Sequence, residues 1–279
     1  SSNALCLKVD IMLLILLSTS TKVKKITIFA SLYRIYFLTK TVIVKLKRNK
    51  MTKISRKSEL MPASAIRKLV PFADAAKSSG VKVYHLNVGQ PDIKSPECAL
   101  EAVRQNTLDH VSYSNSAGLM ELRKGLVEKY YKKIGIDIEV PELIVTVAGS
   151  EGVNLSLQIT CDEGDEVIVL EPFYTNYNTF AFMNGVTLKA VPTDIRNGFK
   201  VPDMSEFEKL ITPRTKAILI SNPGNPTGTL YTKENMLALG EIAKKHDLFL
   251  ISDEVYVHSG ANLHHVDKME VQMVRTSIR

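Results

Sequence analysis

Three cysteines in 279 residues, Cys6, Cys98 and Cys161, are too few and too widely spaced for a disulfide framework or a zinc site. A reducing, cytoplasmic setting is the default for such a chain. Long apolar runs are also missing. The best of them, Ile11-Met-Leu-Leu-Ile-Leu-Leu17, has seven residues, against the ~20 that span a bilayer. With Lys8 before it and Ser18-Thr-Ser-Thr21 after it, the run makes a poor signal peptide, and no membrane partner is expected. There is no internal repeat and no low-complexity linker. The length and the 45% hydrophobic content suit one large or two modest domains with an ordinary core.

Residues 1–50 lack glycine and proline, and hold a single acid, Asp10, against ten lysines and arginines. This leader contributes +9 to a formal net charge of +7, so the other residues together sum to −2. The basic balance belongs to the leader, and a nucleic-acid partner is not implied. Met51-Thr-Lys-Ile-Ser55 reads as an ordinary polar N-terminus, and residues 1–50 are expected to be upstream read-through or a non-native extension.

Beyond Met51, strand-like and helix-like segments alternate, which predicts an α/β architecture: a mostly parallel sheet with covering helices. Strands are expected at Leu143–Val147, Val167–Leu170, Val186–Val191, Ala217–Ile220 and Leu248–Ile251. Helices are expected after Ser95-Pro96 to Arg104, over Leu119–Ile134 with Leu122, Leu126 and Tyr130 on one stripe, and over Val153–Ile159. Two more are expected from a Ser205/Glu208 capping box to Leu210 and over Thr232–His246. The stretch Met61–Ser95, with Pro62, Pro71, Pro91 and Gly89, reads as an arm.

Polar residues gather at the ends of the apolar runs. Thr146-Val-Ala-Gly-Ser-Glu-Gly152 lies between a strand and a helix, where free N–H groups and small residues suit a phosphate. Glycine for steric reasons, with Ser150 capping the helix, is the stronger reading of this segment taken alone. Glu171-Pro-Phe-Tyr-Thr-Asn-Tyr177 brings aromatics that could stack on a planar ring or pack the loop on the core. Ser221-Asn-Pro-Gly-Asn-Pro-Thr-Gly228 and Ser252-Asp-Glu-Val-Tyr256 flank the Thr232–His246 helix and deliver an amide (Asn225), a carboxylate (Asp253) and a phenol (Tyr256) to one sheet edge. A carboxylate directly after a buried strand needs a cation or strong donor; a protonated heterocyclic nitrogen is one such partner, and a cap or loop role is the other reading.

In this order these segments resemble the class I/II aminotransferases, which depend on pyridoxal 5′-phosphate. The resemblance covers about Met61 to Tyr256. It rests on Leu86-Asn-Val-Gly-Gln-Pro-Asp92, Tyr113 with Gly118 and Leu122-Arg123, Thr146–Gly152, Pro172-Phe-Tyr174, Asn225-Pro-Thr-Gly228 and Asp253-Glu-Val-Tyr256. It implies a large domain with helices on both sheet faces and a small domain largely missing. Residues 51–95 would form an arm and the start of the small domain, 96–256 the incomplete large domain and 257–279 an atypical tail. It implies that Gly149, Ser150 and Glu151 hold the cofactor phosphate and that Tyr174 stacks on the ring. Asp253 would pair with the ring nitrogen, while Asn225 and Tyr256 bond the phenolate oxygen. Gly89, with Asn225, would meet the substrate. Tyr113 would reach a neighbouring subunit's phosphate, implying a homodimer acting on amino acids and 2-oxo acids.

The family's Schiff-base lysine, usually preceded by serine, is not found after Asp253. The one lysine beyond Tyr256, Lys268 in Val-Asp-Lys-Met-Glu, lacks its context. No catalytic residue is therefore assigned. Truncation, with a frameshift near Val257, is the expectation, and the chain alone is expected to bind cofactor weakly and not to transaminate. Two other readings keep the same fold: a β-lyase, decarboxylase or synthase on the same cofactor, and a non-catalytic ligand sensor. The sensor should carry a winged helix, for which residues 1–50 offer neither two amphipathic helices nor a turn glycine.

Overall fold

The computed structural model describes residues 53–64, 66–87, 89 and 94–256. The leader, the tail with Lys268, and Val88, Gln90, Pro91 and Asp92 of the Leu86–Asp92 motif lie outside the described residues. The described residues fall into two compact units, one of 53–59 with 94–112 and one of 60–89 with 113–256.

Helices α1 (Arg56–Leu60), α2 (Val70–Ser78) and α3 (Glu97–Arg104) precede the sheet. Ser95 does not cap α3, because Pro96 itself occupies the N-cap position and no side chain bonds the helix start. The expected long helix over Leu119–Ile134 is broken. Helix α4 (Met120–Lys129) gives way at Tyr130 to a 3-10 turn, Tyr131–Ile134, closed by Gly135 at φ 76°. Its buried face carries Arg123 and Val127, whereas Leu122 is exposed. An arginine takes the inward position because backbone carbonyls receive it: Arg123 Nε donates to Leu143 O at 2.8 Å and Nη2 to Val140 O at 2.6 Å.

Of those carbonyls, Val140 O lies just before the segment expected as a buried strand, Leu143–Val147, and Leu143 O opens it. It joins no ladder among the described residues, and Ile144 and Val147 are exposed. Besides Arg123, hydrogen bonds from Val145 N–H to Ala117 O (2.9 Å), from Leu143 N–H to Val140 O (3.2 Å) and from Val147 N–H to the Glu151 carboxylate hold it. Replacing Arg123 with alanine removes the guanidinium donor from both carbonyls, leaving Val140 O with the Leu143 N–H alone, and unfolding in urea should show a loss of roughly 2–3 kcal/mol. Arg123→Lys should recover only part of it, because an ammonium is a compact charge and lacks the planar fork.

Helix α5 (Gly149–Thr160) leads into β1 (Glu166–Glu171), α6 (Asn176–Asn184), β2 (Thr187–Pro192), α7 (Met204–Glu208), β3 (Thr215–Ser221), α8 (Lys233–Lys245) and β4 (Phe249–Asp253). The four strands form one parallel sheet in the order β2-β1-β3-β4. Each strand alternates apolar residues to two covered faces, as parallel sheets require. Val167, Val169, Ala217 and Leu219 pack with Val153 and Leu157 of α5 and Tyr177 and Ala181 of α6. Ile168, Ile218 and Ile220 pack with Phe207 of α7 and Leu239, Ile242 and Ala243 of α8.

Helix α7 is capped two residues earlier than expected: Asp203, not Ser205, bonds the helix start, by accepting the Ser205 N–H at 2.8 Å. Asp203 wins because its carboxylate is the stronger acceptor and precedes the helix. Helix α8 begins as expected at Thr232, in a reciprocal capping pair with Asn235. Among the described residues no helix is long and apolar enough to cross a membrane, and no cluster of His, Cys, Asp or Glu could hold a metal.

Candidate functional site

From β1 the chain steps outward to β2, then returns to the other side of β1 for β3 and β4. The loops leaving β1 and β3 therefore diverge at their carboxyl ends, which opens a crevice there. Beneath it lies a cavity of about 20 Å³, lined by Pro172, Phe173 and Tyr177 from one side and Ser221, Gly224 and Asn225 from the other. That is room for about one water, so a larger ligand must occupy the open crevice. A bigger cavity, about 330 Å³, lies elsewhere, between Pro62–Ser64 and α6. It has no ionisable lining group and none of the strand-end residues.

Asp253 ends β4 in register with Ser221 at the end of β3. Its Oδ2 accepts the Tyr177 hydroxyl at 2.6 Å and its Oδ1 accepts the Val255 N–H at 3.3 Å. Tyr177 is buried in the α5–α6 core, and burial, followed by the hydrogen bond to and charge of Asp253, pushes its phenol far above 10. It keeps its proton at every working pH. Tyr174 meets Tyr177 edge-on with centroids 5.5 Å apart, and its hydroxyl accepts from Asn176 Nδ2 at 2.7 Å. Phe173 stacks on Tyr177 at 6.2 Å. The amide and phenol expected to act together do meet: Asn225 Nδ2 donates to Tyr256 OH at 3.2 Å. Beside them, burial raises the pKa of the Glu254 carboxyl, whose Oε1 accepts from Ser252 Oγ at 3.0 Å.

The start of α5 closes on the same loop. A Cβ on Gly149 would come within 2.7 Å of Val255 Cγ2, so the glycine is required by close approach. The N–H groups of Gly149 and Ser150, and the Ser150 hydroxyl, have no partner among the described residues; Ser150 does not cap the helix. Glu151 differs from its neighbours. Its N–H donates to Ala148 O at 3.0 Å and its carboxylate accepts the Val147 N–H at 2.5 Å. Gly149, Ser150, Glu151, Tyr174, Asn225, Asp253 and Tyr256 thus occupy one end of the sheet. Gly89 is exposed with nothing within 4 Å of a Cβ, and Tyr113, expected to reach a second subunit, is fully exposed.

Residues 81–276 match the model of the family "aminotransferase class I and II". The chain belongs to this family. The match runs past Tyr256, where the sequence motifs end, into the stretch expected to be unrelated. An aspartate/prephenate aminotransferase of Thermus thermophilus is 38% identical over 209 residues, covering 75% of this chain and 54% of that one. The aspartate aminotransferase of Geobacillus stearothermophilus is 33% identical over 205 residues, covering 73% and 52%. Among solved structures, Thermus thermophilus aspartate aminotransferase with maleate superposes with a TM-score of 0.69 at 38% identity, over 75% of this chain and 55% of that one. A Pyrococcus furiosus alanine aminotransferase gives 0.67 at 34%. The chain spans about half the length of the curated relatives it matches.

Within this aminotransferase frame, the residue that sequence reasoning missed is Tyr177. Its spacing from Tyr174, three residues along the turn into α6, was the available signal, but packing on the core explained it as well. Only the sheet order reveals that it reaches Asp253.

Proposed function

We propose that this chain is the cofactor-holding part of a pyridoxal 5′-phosphate-dependent aminotransferase that moves an amino group between an amino acid and a 2-oxo acid. The observation that supports it most is the convergence of Asp253 and the Asn225–Tyr256 pair at the carboxyl end of the sheet, near a helix start with two N–H groups that have no partner among the described residues. This donor set fits the cofactor: N–H groups and a hydroxyl for a phosphate, a carboxylate for a ring nitrogen, an amide and a phenol for a phenolate oxygen.

Pyridoxal 5′-phosphate, when bound, supplies an aldehyde that takes up amino groups and a ring that accepts electrons when its nitrogen is protonated. Gly149 and Ser150 hold the phosphate at the positive end of α5. Glu151 sets the turn through Val147 and offers no free donor of its own. Tyr174 covers the ring, Asp253 pairs with its nitrogen, and Asn225 with Tyr256 holds the phenolate oxygen. Gly89 and Asn225 face the substrate carboxylate, and Tyr113 reaches the phosphate of a second subunit in a homodimer. The relatives' names make aspartate the first amino donor to try. The free thiols of Cys98 and Cys161 suit a cytoplasmic protein.

Titration of the chain with pyridoxal 5′-phosphate should show saturable binding with induced circular dichroism, and pyridoxal without phosphate should bind at least tenfold more weakly. Equal binding of the two, or none, would remove the proposal. Borohydride treatment should leave Lys268 unmodified. Gly149→Ala should weaken cofactor binding roughly tenfold, about 1.4 kcal/mol, by driving the helix start away from Val255. Adding Val255→Ala to it should restore most of that affinity.

A further inference from the structure

Two asparagines of this chain precede a glycine, Asn184-Gly185 and Asn197-Gly198. This pair is the one most prone to spontaneous deamidation, because no side chain keeps the glycine nitrogen from the amide carbon. The fold treats the two pairs differently. Asn184 ends α6 half-buried, and its Nδ2 donates to Asn154 Oδ1 at 2.9 Å and to Phe180 O at 2.8 Å. Both bonds pin the amide and must break before it turns on Gly185. Asn197 is exposed in the 3-10 turn Ile195–Asn197, and its Nδ2 has no partner among the described residues. Its Oδ1 accepts the Lys200 N–H at 3.2 Å, which draws electrons from the amide carbon. The Gly198 N–H donates to Ile195 O at 3.0 Å, but residues 195–198 are all exposed, so the turn opens at low cost.

The same turn supports the crevice loop. Phe199 stands at φ 56°, in the left-handed region, and its N–H donates to Asp194 O at 2.9 Å. Its carbonyl accepts Thr229 Oγ1 at 3.0 Å. Thr229 Oγ1 also bonds Thr227 Oγ1 at 2.8 Å, and Thr229 O accepts the Gly224 N–H at 2.8 Å. Gly224 and Thr227 flank Asn225, so the place of Phe199 is passed to that residue through hydrogen bonds.

We propose that Asn197-Gly198 is a modification site, a deamidating pair whose isoaspartyl product loosens the loop that presents Asn225. The Gly198 nitrogen attacks Asn197 Cγ and passes its proton, through water, to the amide, which leaves as ammonia. The succinimide ring so formed takes up one water and opens at either of its C–N bonds. One opening gives aspartate at 197. The other runs the chain through Cγ, one methylene longer, and that length displaces Phe199 from Asp194 and Thr229.

The full chain, fresh and after incubation at mildly alkaline pH, is digested and read by mass spectrometry, with isoaspartate labelled by a carboxyl methyltransferase. Asn197 should convert with isoaspartate among its products, and Asn184 roughly tenfold more slowly, as suits an amide held by two hydrogen bonds. Equal conversion at the two, or faster conversion at Asn184, overturns the assignment. None of these measurements needs bound cofactor, so their outcome does not depend on the aminotransferase reading.

Amide hydrogen exchange over residues 222–231 is followed on the same samples and should be severalfold faster in the incubated chain. Asn197→Gln, whose longer side chain closes such a ring poorly, should keep the exchange of the fresh chain through the same incubation. Equally accelerated exchange in incubated Asn197→Gln, or unchanged exchange in wild type carrying isoaspartate at 197, overturns the coupling to the Asn225 loop.

Discussion

Asp253→Ala is expected to weaken pyridoxal 5′-phosphate binding about a hundredfold, close to 3 kcal/mol, because a cationic ring nitrogen at a half-buried site loses its only charged partner among the residues placed there. The same change strands the buried Tyr177 hydroxyl, which donates to Asp253 at 2.6 Å. A further loss of roughly 1–3 kcal/mol should then appear in unfolding. Asp253→Asn separates the two effects. The amide oxygen still accepts from Tyr177, so the melting temperature should stay near that of the wild type while cofactor affinity falls. Fluorescence titration and thermal melts on the three proteins test this. An Asn variant binding as tightly as wild type would show that the charge at 253 does not hold the ring.

At the opposite end of the sheet, Glu166→Ala should destabilise the fold by roughly 3 kcal/mol without altering cofactor affinity. The Glu166 side chain is 2% exposed at the start of β1. It accepts from Arg214 Nη2 at 2.6 Å and Thr212 Oγ1 at 2.7 Å, with Lys189 Nζ at 3.7 Å. The Arg214 and Thr212 hydrogen bonds lower its pKa against the opposing effect of burial. A carboxyl whose folded pKa is depressed stabilises the fold fully above its unfolded value, near 4.5, and that stability is lost as pH falls through the folded value. Urea midpoints measured between pH 7 and pH 3 should therefore fall below about pH 4.5 in the wild type. In Glu166→Gln that part of the acid dependence should be missing.

Much of this architecture was legible from local pattern. The runs around Val167–Leu170, Val186–Val191, Ala217–Ile220 and Leu248–Ile251 became β1 to β4, and Thr232 did cap α8. The failures share a cause. Leu143–Val147 is as apolar as a strand, but apolarity specifies burial and not a ladder neighbour, and among the described residues it has none. Leu122, Leu126 and Tyr130 formed a plausible inward stripe, yet the helix turned Arg123 inward because two carbonyls from a distant loop could receive it. At the site, Asn225, Asp253 and Tyr256 were readable because strand ends in α/β sheets face a crevice. Tyr177 was not, because an aromatic after a strand packs on a core whether or not its hydroxyl has work to do.

The sequence by itself determined the element types, the parallel character of the sheet and the identity of the polar groups at its carboxyl end, since all of these follow from short-range periodicity and from which residues close each apolar run. It determined the family in the same way, through motifs in a fixed order. The tertiary structure alone decided the strand order β2-β1-β3-β4, and with it everything that depends on lateral neighbours. It set the reach of Tyr177 across β3 to Asp253, the seating of Gly149 against Val255 and the burial of Glu166 beneath Arg214. These contacts join residues tens of positions apart, and no local pattern records which strand lies beside which.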